Sequence, residues 1–127
     1  HERGSLFEFD ITEGLNYYGN REEIRHLVEI LLSNAMEHTP KEGTIKLSLF
    51  KQKRKIILSV TDTGEGIDPG DIPCIFDRFY RADPSRDFHS RNYGLGLSIA
   101  KAIADAHHAM ISVTSRMGAG ASFTVRF

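Results

Sequence analysis

The sequence predicts a single domain that contains both β-strands and α-helices. Three observations lead to this prediction: the length of 127 residues suits one domain, short apolar runs are typical of strands, and two longer segments repeat apolar residues with the period of a helix. Hydrophobic residues make up 40% of the chain and charged residues 26%, as in ordinary globular proteins. We therefore expect one hydrophobic core.

Charge and cysteine content exclude several classes of protein. The net charge of −1 gives no electrostatic case for binding nucleic acid or an anionic membrane surface. No apolar run approaches the roughly 20 residues of a membrane span. The single cysteine, Cys74, excludes an intramolecular disulfide and suits a reducing compartment. The opening residues look like a cut within a longer protein, so we expect partner domains outside this chain.

The first two elements are a strand and a long amphipathic helix. Residues 6–11 alternate in polarity, which predicts the strand. Asn20, followed three residues later by Glu23, forms a capping-box pattern that predicts the start of the helix. Pro40 ends the helix. One stripe of this helix is apolar and consists of Ile24, Leu27, Val28, Leu31 and Ala35.

Asn34 stands beside this apolar stripe. A buried amide without a partner costs about 1–3 kcal/mol, so its side chain needs a hydrogen bond or a ligand. Two interpretations are open: the amide bonds to neighbouring backbone, or its oxygen is offered to Mg²⁺ carried by a phosphate. The helix pattern alone favours the first.

Two strands follow, at residues 44–50 and 56–61. The basic segment between them, residues 51–55, has no interleaved aromatic residues. Stacking platforms for bases are therefore missing, and a solvated hairpin tip is the favoured interpretation.

The segment from Asp62 to Ile67 begins where the second of these strands ends. A carboxylate at this position can accept a hydrogen bond from a ligand's exocyclic amine. Gly64 and Gly66 remove Cβ atoms where a flat ring would approach the backbone, and both residues allow positive φ. D-x-G is also a common turn signal. On its own the pattern favours a turn over a ligand site.

The second half of the chain predicts a short helix, a long polar segment and a longer helix. The short helix covers residues 72–75, and the polar segment covers residues 82–93 without periodicity, which suits a disordered insertion or a lid. Gly94-Leu95-Gly96-Leu97 then opens the longer helix, whose N-terminal N–H groups suit a phosphate. Two closing strands are predicted at residues 110–115 and 122–127.

Four of these segments, in this order, resemble the catalytic, ATP-binding domain of bacterial sensor histidine kinases. They are the helix with Asn34, D-x-G-x-G, F-D-R-F-Y-R at residues 76–81, and G-L-G-L. The domain is part of the gyrase–chaperone–kinase–mismatch-repair ATPase superfamily, and the resemblance covers about residues 6–127. It implies an α/β two-layer sandwich: a mixed five-stranded sheet, three helices on one face and a mobile ATP lid. Residues 1–127 would then form one catalytic domain.

The resemblance also implies roles for individual residues. Asn34 would bind Mg²⁺, Asp62 would read the adenine amine, and Arg81 would reach the terminal phosphate, so that Asn34 and Arg81 are the catalytic pair. The full set of expected ATP-binding residues is Asn34, His38, Asp62, Gly64, Gly66, Ile67, Arg81, Gly94, Leu95, Gly96 and Leu97.

The implied reaction is transfer of the γ-phosphoryl group of Mg·ATP to a histidine on a separate dimerisation domain of the same kinase. A response regulator would be an indirect partner, and the isolated domain would be a monomer without a nucleic-acid partner. The parent protein would be an inner- or plasma-membrane sensor with this domain in the cytoplasm.

Departures from the family pattern keep alternatives open. An ATP-hydrolysing relative needs a carboxylate where Ile30 stands, which argues against it. A serine kinase would lack the form of residues 76–81, whereas a nucleotide-binding pseudokinase is favoured by Glu37, in place of a usual lysine, and Ala121, in place of a usual threonine. The remaining departures are His38 for tyrosine, Asn92 for glycine and His108-Ala109 for Gly-Gly.

Overall fold

The computed structural model describes residues 6–15, 17, 19–39, 42–77 and 96–127. The predicted lid at 82–93, Arg81, Gly94 and Leu95 lie outside these ranges. The elements in chain order are β1 (Leu6–Ile11), α1 (Arg21–His38), β2 (Thr44–Gln52), β3 (Lys55–Asp62), a 3₁₀ turn (Ile72–Cys74), α2 (Gly96–Ala106), β4 (Met110–Arg116) and β5 (Gly120–Arg126).

The five strands form one mixed sheet in the order β1-β2-β3-β5-β4. β1 runs parallel to β2, and the other three neighbouring pairs are antiparallel. The predicted mixed five-stranded sheet is therefore confirmed. β3 lies at its centre, so the residue at its end, Asp62, is surrounded by structure on both sides.

α1 begins and ends where its sequence predicts. The side chain of Asn20 accepts a hydrogen bond from the Glu23 backbone N at 3.0 Å, as the N-cap of the helix. At the other end the helix stops at His38, and the hydroxyl of Thr39 donates to the carbonyl of Ala35 at 2.6 Å. The polar caps thus fix the position of the Asn34 turn along the helix.

Both α-helices cover the same face of the sheet. Leu27 and Leu31 of α1, together with Ala100 and Ala104 of α2, belong to one buried cluster with residues of the central strands. The strand members alternate in sequence and so share one face of the sheet. They include Ile45, Leu58, Val60, Phe123 and Val125. The fold is a two-layer α/β sandwich with its core between the layers.

The described residues contain two α-helices rather than the three that were predicted. Where the third was expected, the structure has a 3₁₀ turn of three residues, Ile72–Cys74. The preceding turn is closed locally, because the Asp68 carboxylate accepts from the Gly70 N at 2.8 Å. Pro73 lacks an N–H, and Ile75 is buried in the core, so the described part of this segment forms a 3₁₀ turn and does not confirm a third α-helix. Neither described helix combines the length and the apolar character needed to cross a bilayer.

Candidate nucleotide-binding site

Asp62 is the last residue of β3 and is only 4% exposed. Its Oδ1 accepts hydrogen bonds from the backbone N of Gly64, at 2.8 Å, and of Ala121, at 3.3 Å. The carboxylate is therefore held by the loop that follows it and by the neighbouring strand β5. Both of these bonds use Oδ1, so Oδ2 is the oxygen available to a ligand donor.

Burial raises the pKa of Asp62 above its usual value, because the charged form is poorly solvated there. The hydrogen bonds from Gly64 and Ala121 act in the opposite direction, as does nearby His38, while Glu65 adds to the rise. An ionised carboxylate in this environment gains from any further donor, since its loss of water is only partly compensated. An exocyclic amine is a donor of the required kind.

The glycines of D-x-G-x-G are required by close packing of the loop. A Cβ on Gly64 would overlap the carbonyl oxygen of His38 at the end of α1. Gly66 has a φ of +85°, and a Cβ there would lie 2.6 Å from the carbonyl oxygen of Arg116. The loop is therefore pressed between α1 and the β4–β5 connection. Packing gives both glycines a role that does not depend on a bound ring.

The β4–β5 connection also holds the second half of this loop. The backbone N of Ile67 donates to Ser115 Oγ at 2.6 Å, and the Gly118 N donates to the carbonyl of Glu65 at 2.9 Å. Gly120, with φ +107°, allows β5 to approach the carbonyl of Asp62, where a Cβ would overlap. Sequence reasoning missed Ser115 and Gly120 as parts of the site. The available signal was the pair of glycines at 118 and 120.

Asn34 is 6% exposed, although it carries a polar amide. Among the described residues, no hydrogen bond to its side chain is formed, so the interpretation that it bonds neighbouring backbone has no support. No polar side-chain atom in the described part of the chain is both enclosed and without a partner. The amide of Asn34 therefore reaches open space at the edge of the core, where a ligand can meet it.

His38 and Glu65 face each other across the gap between α1 and the glycine loop. The Nδ1 of His38 lies 3.6 Å from Oε2 of Glu65, and the two side chains are 36% and 52% exposed. They line an open cleft together with Glu37, Thr39, Thr63, Gly64 and Gly118. Glu65 was not among the predicted site residues, because the second variable position of D-x-G-x-G carries no signal of its own.

The start of α2 lies at the same end of the molecule as Asn34 and Asp62. α2 begins at Gly96, as predicted, and Leu97 packs against the core. The backbone N of Asn20, at the start of α1, donates to His107 Nε2, just past the end of α2, at 3.0 Å. The two helices also contact each other, so they run antiparallel, and the first turn of α2 lies beside the C-terminal half of α1.

The architecture and this polar end define a class: two-layer α/β ATPase domains in which helices and a strand end surround the nucleotide. A family model described as "Histidine kinase-, DNA gyrase B-, and HSP90-like ATPase" matches residues 19–127, and the chain belongs to that family. It is the type of ATPase domain that two-component sensor histidine kinases carry.

Similar proteins include named sensor kinases. The chain is 42% identical over 127 residues to the sensor histidine kinase YkoH of Bacillus subtilis, covering 100% of this chain and 27% of YkoH. It is 35% identical over 125 residues to the phosphate regulon sensor protein PhoR of Pseudomonas aeruginosa, covering 98% of this chain and 28% of PhoR. The chain thus spans little more than a quarter of either relative.

Solved structures agree with the fold. The nucleotide-free catalytic domain of the histidine kinase ThkA superposes with a TM-score of 0.83 at 27% identity, covering 99% of this chain and 79% of that one. Full-length ShkA in complex with AMPPNP superposes with a TM-score of 0.84 at 25% identity, covering 99% of this chain and 26% of that one. The overall fold is therefore that of histidine kinase catalytic domains.

Proposed function

We propose that this domain binds Mg·ATP and transfers its γ-phosphoryl group to a histidine on a separate dimerisation domain of the same kinase. The observation that carries the proposal is the Asp62 carboxylate. It is buried at a strand end, and one oxygen is fixed by two backbone donors while the other is left for an amine. This arrangement suits the 6-amino group of adenine.

The phosphates would lie between α1 and the start of α2. The oxygen of Asn34 is a hard ligand of the kind that Mg²⁺ prefers, and its amide has no partner among the described residues. Bound Mg²⁺ would supply neutralisation of phosphate charge. Helix N–H groups from Gly96 onward would donate to phosphate oxygens.

The family resemblance supports the remaining parts of the site. It supports Arg81 as a contact of the terminal phosphate, backbone contacts from Gly94 and Leu95, and closure of a lid at 82–93. For the lid, we expect slower hydrogen exchange at 82–93 with ATP than with ADP. Equal exchange with the two nucleotides would contradict γ-phosphate-dependent closure.

The partners and location follow from the same proposal. The acceptor histidine would come from the dimerisation domain of the parent kinase, and a response regulator would receive the phosphoryl group afterwards. The parent protein would be a membrane sensor with this domain on the cytoplasmic side. These assignments are supported by the sensor kinases YkoH and PhoR, of which this chain matches about a quarter.

An ATP-hydrolysing function of the gyrase type is not favoured. Such a mechanism needs a carboxylate one helical turn before Asn34 to activate water. That position is Ile30, which is 7% exposed and belongs to the hydrophobic core. Since an apolar core residue stands where the catalytic base would be needed, phosphoryl transfer to a separate acceptor is better supported than ATP hydrolysis.

The proposal is tested by binding and by single-turnover phosphotransfer. We expect calorimetry to show ATP binding by the domain, and we expect labelled phosphate from ATP to appear on a supplied dimerisation domain in stoichiometric amounts. A dimerisation domain with its acceptor histidine replaced by glutamine is the control. Absence of ATP binding would overturn the proposal.

The similarity to named sensor histidine kinases does not favour a pseudokinase that binds ATP without transferring phosphate, but the charge at Glu37 allows this second candidate to be tested. This half-buried carboxylate lines the same cleft as Glu65, where the family pattern has a lysine. If Glu37 acts on the phosphates, Glu37→Lys should tighten ATP binding more than ADP binding, by at most about tenfold, or ~1.4 kcal/mol. The gain should fall with salt.

Phosphotransfer decides between the two candidates. An ATP-selective gain in Glu37→Lys, together with no phosphotransfer by the wild type, would establish the pseudokinase. Equal affinities in wild type and variant, together with phosphotransfer by the wild type, would remove it. Glu29→Lys makes the same charge change on the exposed face of α1 and serves as the matched control.

A further inference from the structure

Three ionisable side chains lie together at the proposed adenine end of the site. Asp62 ends β3, Glu65 belongs to the glycine loop, and His38 ends α1. The resemblance to histidine kinases implies tyrosine at position 38, and a tyrosine is neutral in the range where histidine gains a charge. His38 and Glu65 therefore form a pair of ionisable side chains at a place where the family pattern has a tyrosine in position 38.

Gly64 lies between the Asp62 side chain and the backbone at the end of α1. The Gly64 backbone N donates to Asp62 Oδ1 at 2.8 Å, and its α-carbon packs so tightly on the His38 carbonyl that a Cβ would overlap it. Glu65 follows directly and reaches back to within 3.6 Å of the His38 ring. The end of α1, Gly64 and Glu65 are therefore in direct contact, beside the Asp62 carboxylate.

The two neighbours act on Asp62 with opposite sign. His38, when protonated, favours the ionised carboxylate and lowers the pKa of Asp62, whereas the negative charge of Glu65 raises it. Other charged residues beside the loop include Glu37, which lines the cleft, and Arg116, whose backbone lies against Gly66. Neither is among the charges that act on Asp62.

We infer that His38 and Glu65 are positioning residues that act in opposite directions on the charge of Asp62 and so set how steeply nucleotide affinity falls at acidic pH. The inference rests on the proposed binding of adenine by Asp62. The amine of adenine donates to an ionised carboxylate, and a proton on the carboxyl group competes with it for the same oxygen. His38 opposes this competition at acidic pH, and Glu65 promotes it.

The test is calorimetric titration with ATP at pH 5.0 and pH 7.5. It compares wild type, His38→Gln, Glu65→Gln and the control Glu29→Gln, which removes an exposed carboxylate from α1. Each affinity is divided by that of the wild type at the same pH, because the titration of the nucleotide itself then cancels. Relative to its value at pH 7.5, this ratio should fall about two- to fivefold at pH 5.0 for His38→Gln, as expected for half-exposed charges. For Glu65→Gln the ratio should rise by a similar factor, and for Glu29→Gln it should not change.

The direction of the two changes separates this role from a structural one. A loss of affinity in both variants that is the same at both pH values would show that the pair only holds the loop, and would overturn the inference. Changes of the same sign would also overturn it. His38→Tyr, which restores the residue of the family pattern, should behave as His38→Gln and guards against a folding defect of the glutamine variant. If wild type does not bind ATP at either pH, the proposed function fails with the inference. If the wild type binds ATP and all variants show the same dependence on pH, the inference is wrong but the proposed function stands.

Discussion

The two ends of the helix pair use polar groups in different ways. At the end away from the proposed site, His107 donates from Nδ1 to the carbonyl of Ile103, at 2.9 Å, and its Nε2 accepts from the Asn20 N at 3.0 Å. The hydroxyl of Tyr17 donates to the His107 carbonyl at 3.1 Å. The ring nitrogens of His107 are both engaged within the protein, so this end is closed.

At the other end, two side chains have hydrogen-bonding atoms without a partner among the described residues. Asp62 commits one carboxylate oxygen to backbone donors, and the Asn34 amide is nearly buried without a partner among the described residues. Polar atoms at the edge of the core that make no hydrogen bond within the protein are accessible to a ligand, as the proposed function requires. Internal hydrogen bonds thus hold one end of the helix pair, whereas the end at the proposed site keeps polar atoms accessible. Substitutions at the two ends should therefore separate stability from binding.

The largest effect is expected at Gly120, where the β4–β5 connection packs against the proposed nucleotide site. Gly120→Ala combines a left-handed φ of +107° with overlap of the Asp62 carbonyl, so we expect a loss of about 2–5 kcal/mol in the free energy of unfolding, together with weaker ATP binding. Gly118→Ala is the matched control, because φ is +81° but nothing lies within 4 Å of its Cβ. It should lose only about 1–2 kcal/mol. Chemical denaturation measures both, and equal losses would show that the close contact with Asp62 is unimportant.

Asp62→Asn should affect binding and spare the fold. The amide oxygen can keep the bonds from Gly64 and Ala121, but an NH₂ facing the adenine amine should cost about 1–3 kcal/mol of ATP affinity by calorimetry. Because burial raises the pKa of Asp62, the native state binds its proton more tightly than the unfolded chain does. Wild type should therefore gain stability relative to the variant as the pH falls through the acidic range. At pH 7.5 the variant should be at least as stable as wild type; a clear loss would mean that the carboxylate supports the fold.

His107→Ala tests the end of the helix pair that lies away from the proposed site. Removing the ring leaves the Asn20 N–H without its acceptor, so we expect the free energy of unfolding to fall by about 1–2 kcal/mol while ATP affinity stays within twofold. Thermal and chemical denaturation, with calorimetry, measure the two quantities. His26→Ala, at an exposed position of α1, is the control. A loss of ATP affinity comparable to the loss of stability would break the separation between the ends.

The smallest effect is expected at His108, the residue that follows His107. His108 has a φ of +56°, and the turn around it is closed by bonds from the His108 N to Asp105 O and from the Ala109 N to Ala104 O, a Schellman motif. Glycine adopts this conformation without strain, so His108→Gly should stabilise the protein by about 0.5–1 kcal/mol. His108→Ala keeps the strain and should not stabilise. A stabilising alanine would point to the loss of the imidazole rather than to backbone conformation.

Local chemistry made parts of this fold predictable. Asn20 and Glu23 fixed the start of α1 because a cap acts within four residues, and the apolar stripe placed Leu27 and Leu31 in the core. The glycine pattern located the loop after β3. Asp62 could be placed at the strand end, since the apolar run stops there.

Features that depend on distant segments were not predictable from the sequence. β5 lies between β3 and β4 because of packing between segments that are distant in the chain. No local sequence pattern indicates this strand order. A third α-helix is not confirmed in the described residues, because the spacing of Ile72 and Ile75 fits one α-helical turn as well as it fits the observed 3₁₀ turn. Glu65 and His38 are 27 positions apart in the chain, and only the folded structure brings their side chains into contact.

The place of β5 in the sheet has a consequence for the order of assembly. It comes after the other four strands in the chain but lies inside the sheet, between β3 and β4. During synthesis from the N-terminus, β3 must wait with one edge unpaired until β5 has left the ribosome, and the Ala121 N reaches Asp62 only then. A nascent chain shorter than this therefore exposes an open strand edge and lacks the bond from β5 that orients Asp62. If Asp62 binds adenine as proposed, nucleotide would stabilise the domain only after β5 has been added to the sheet.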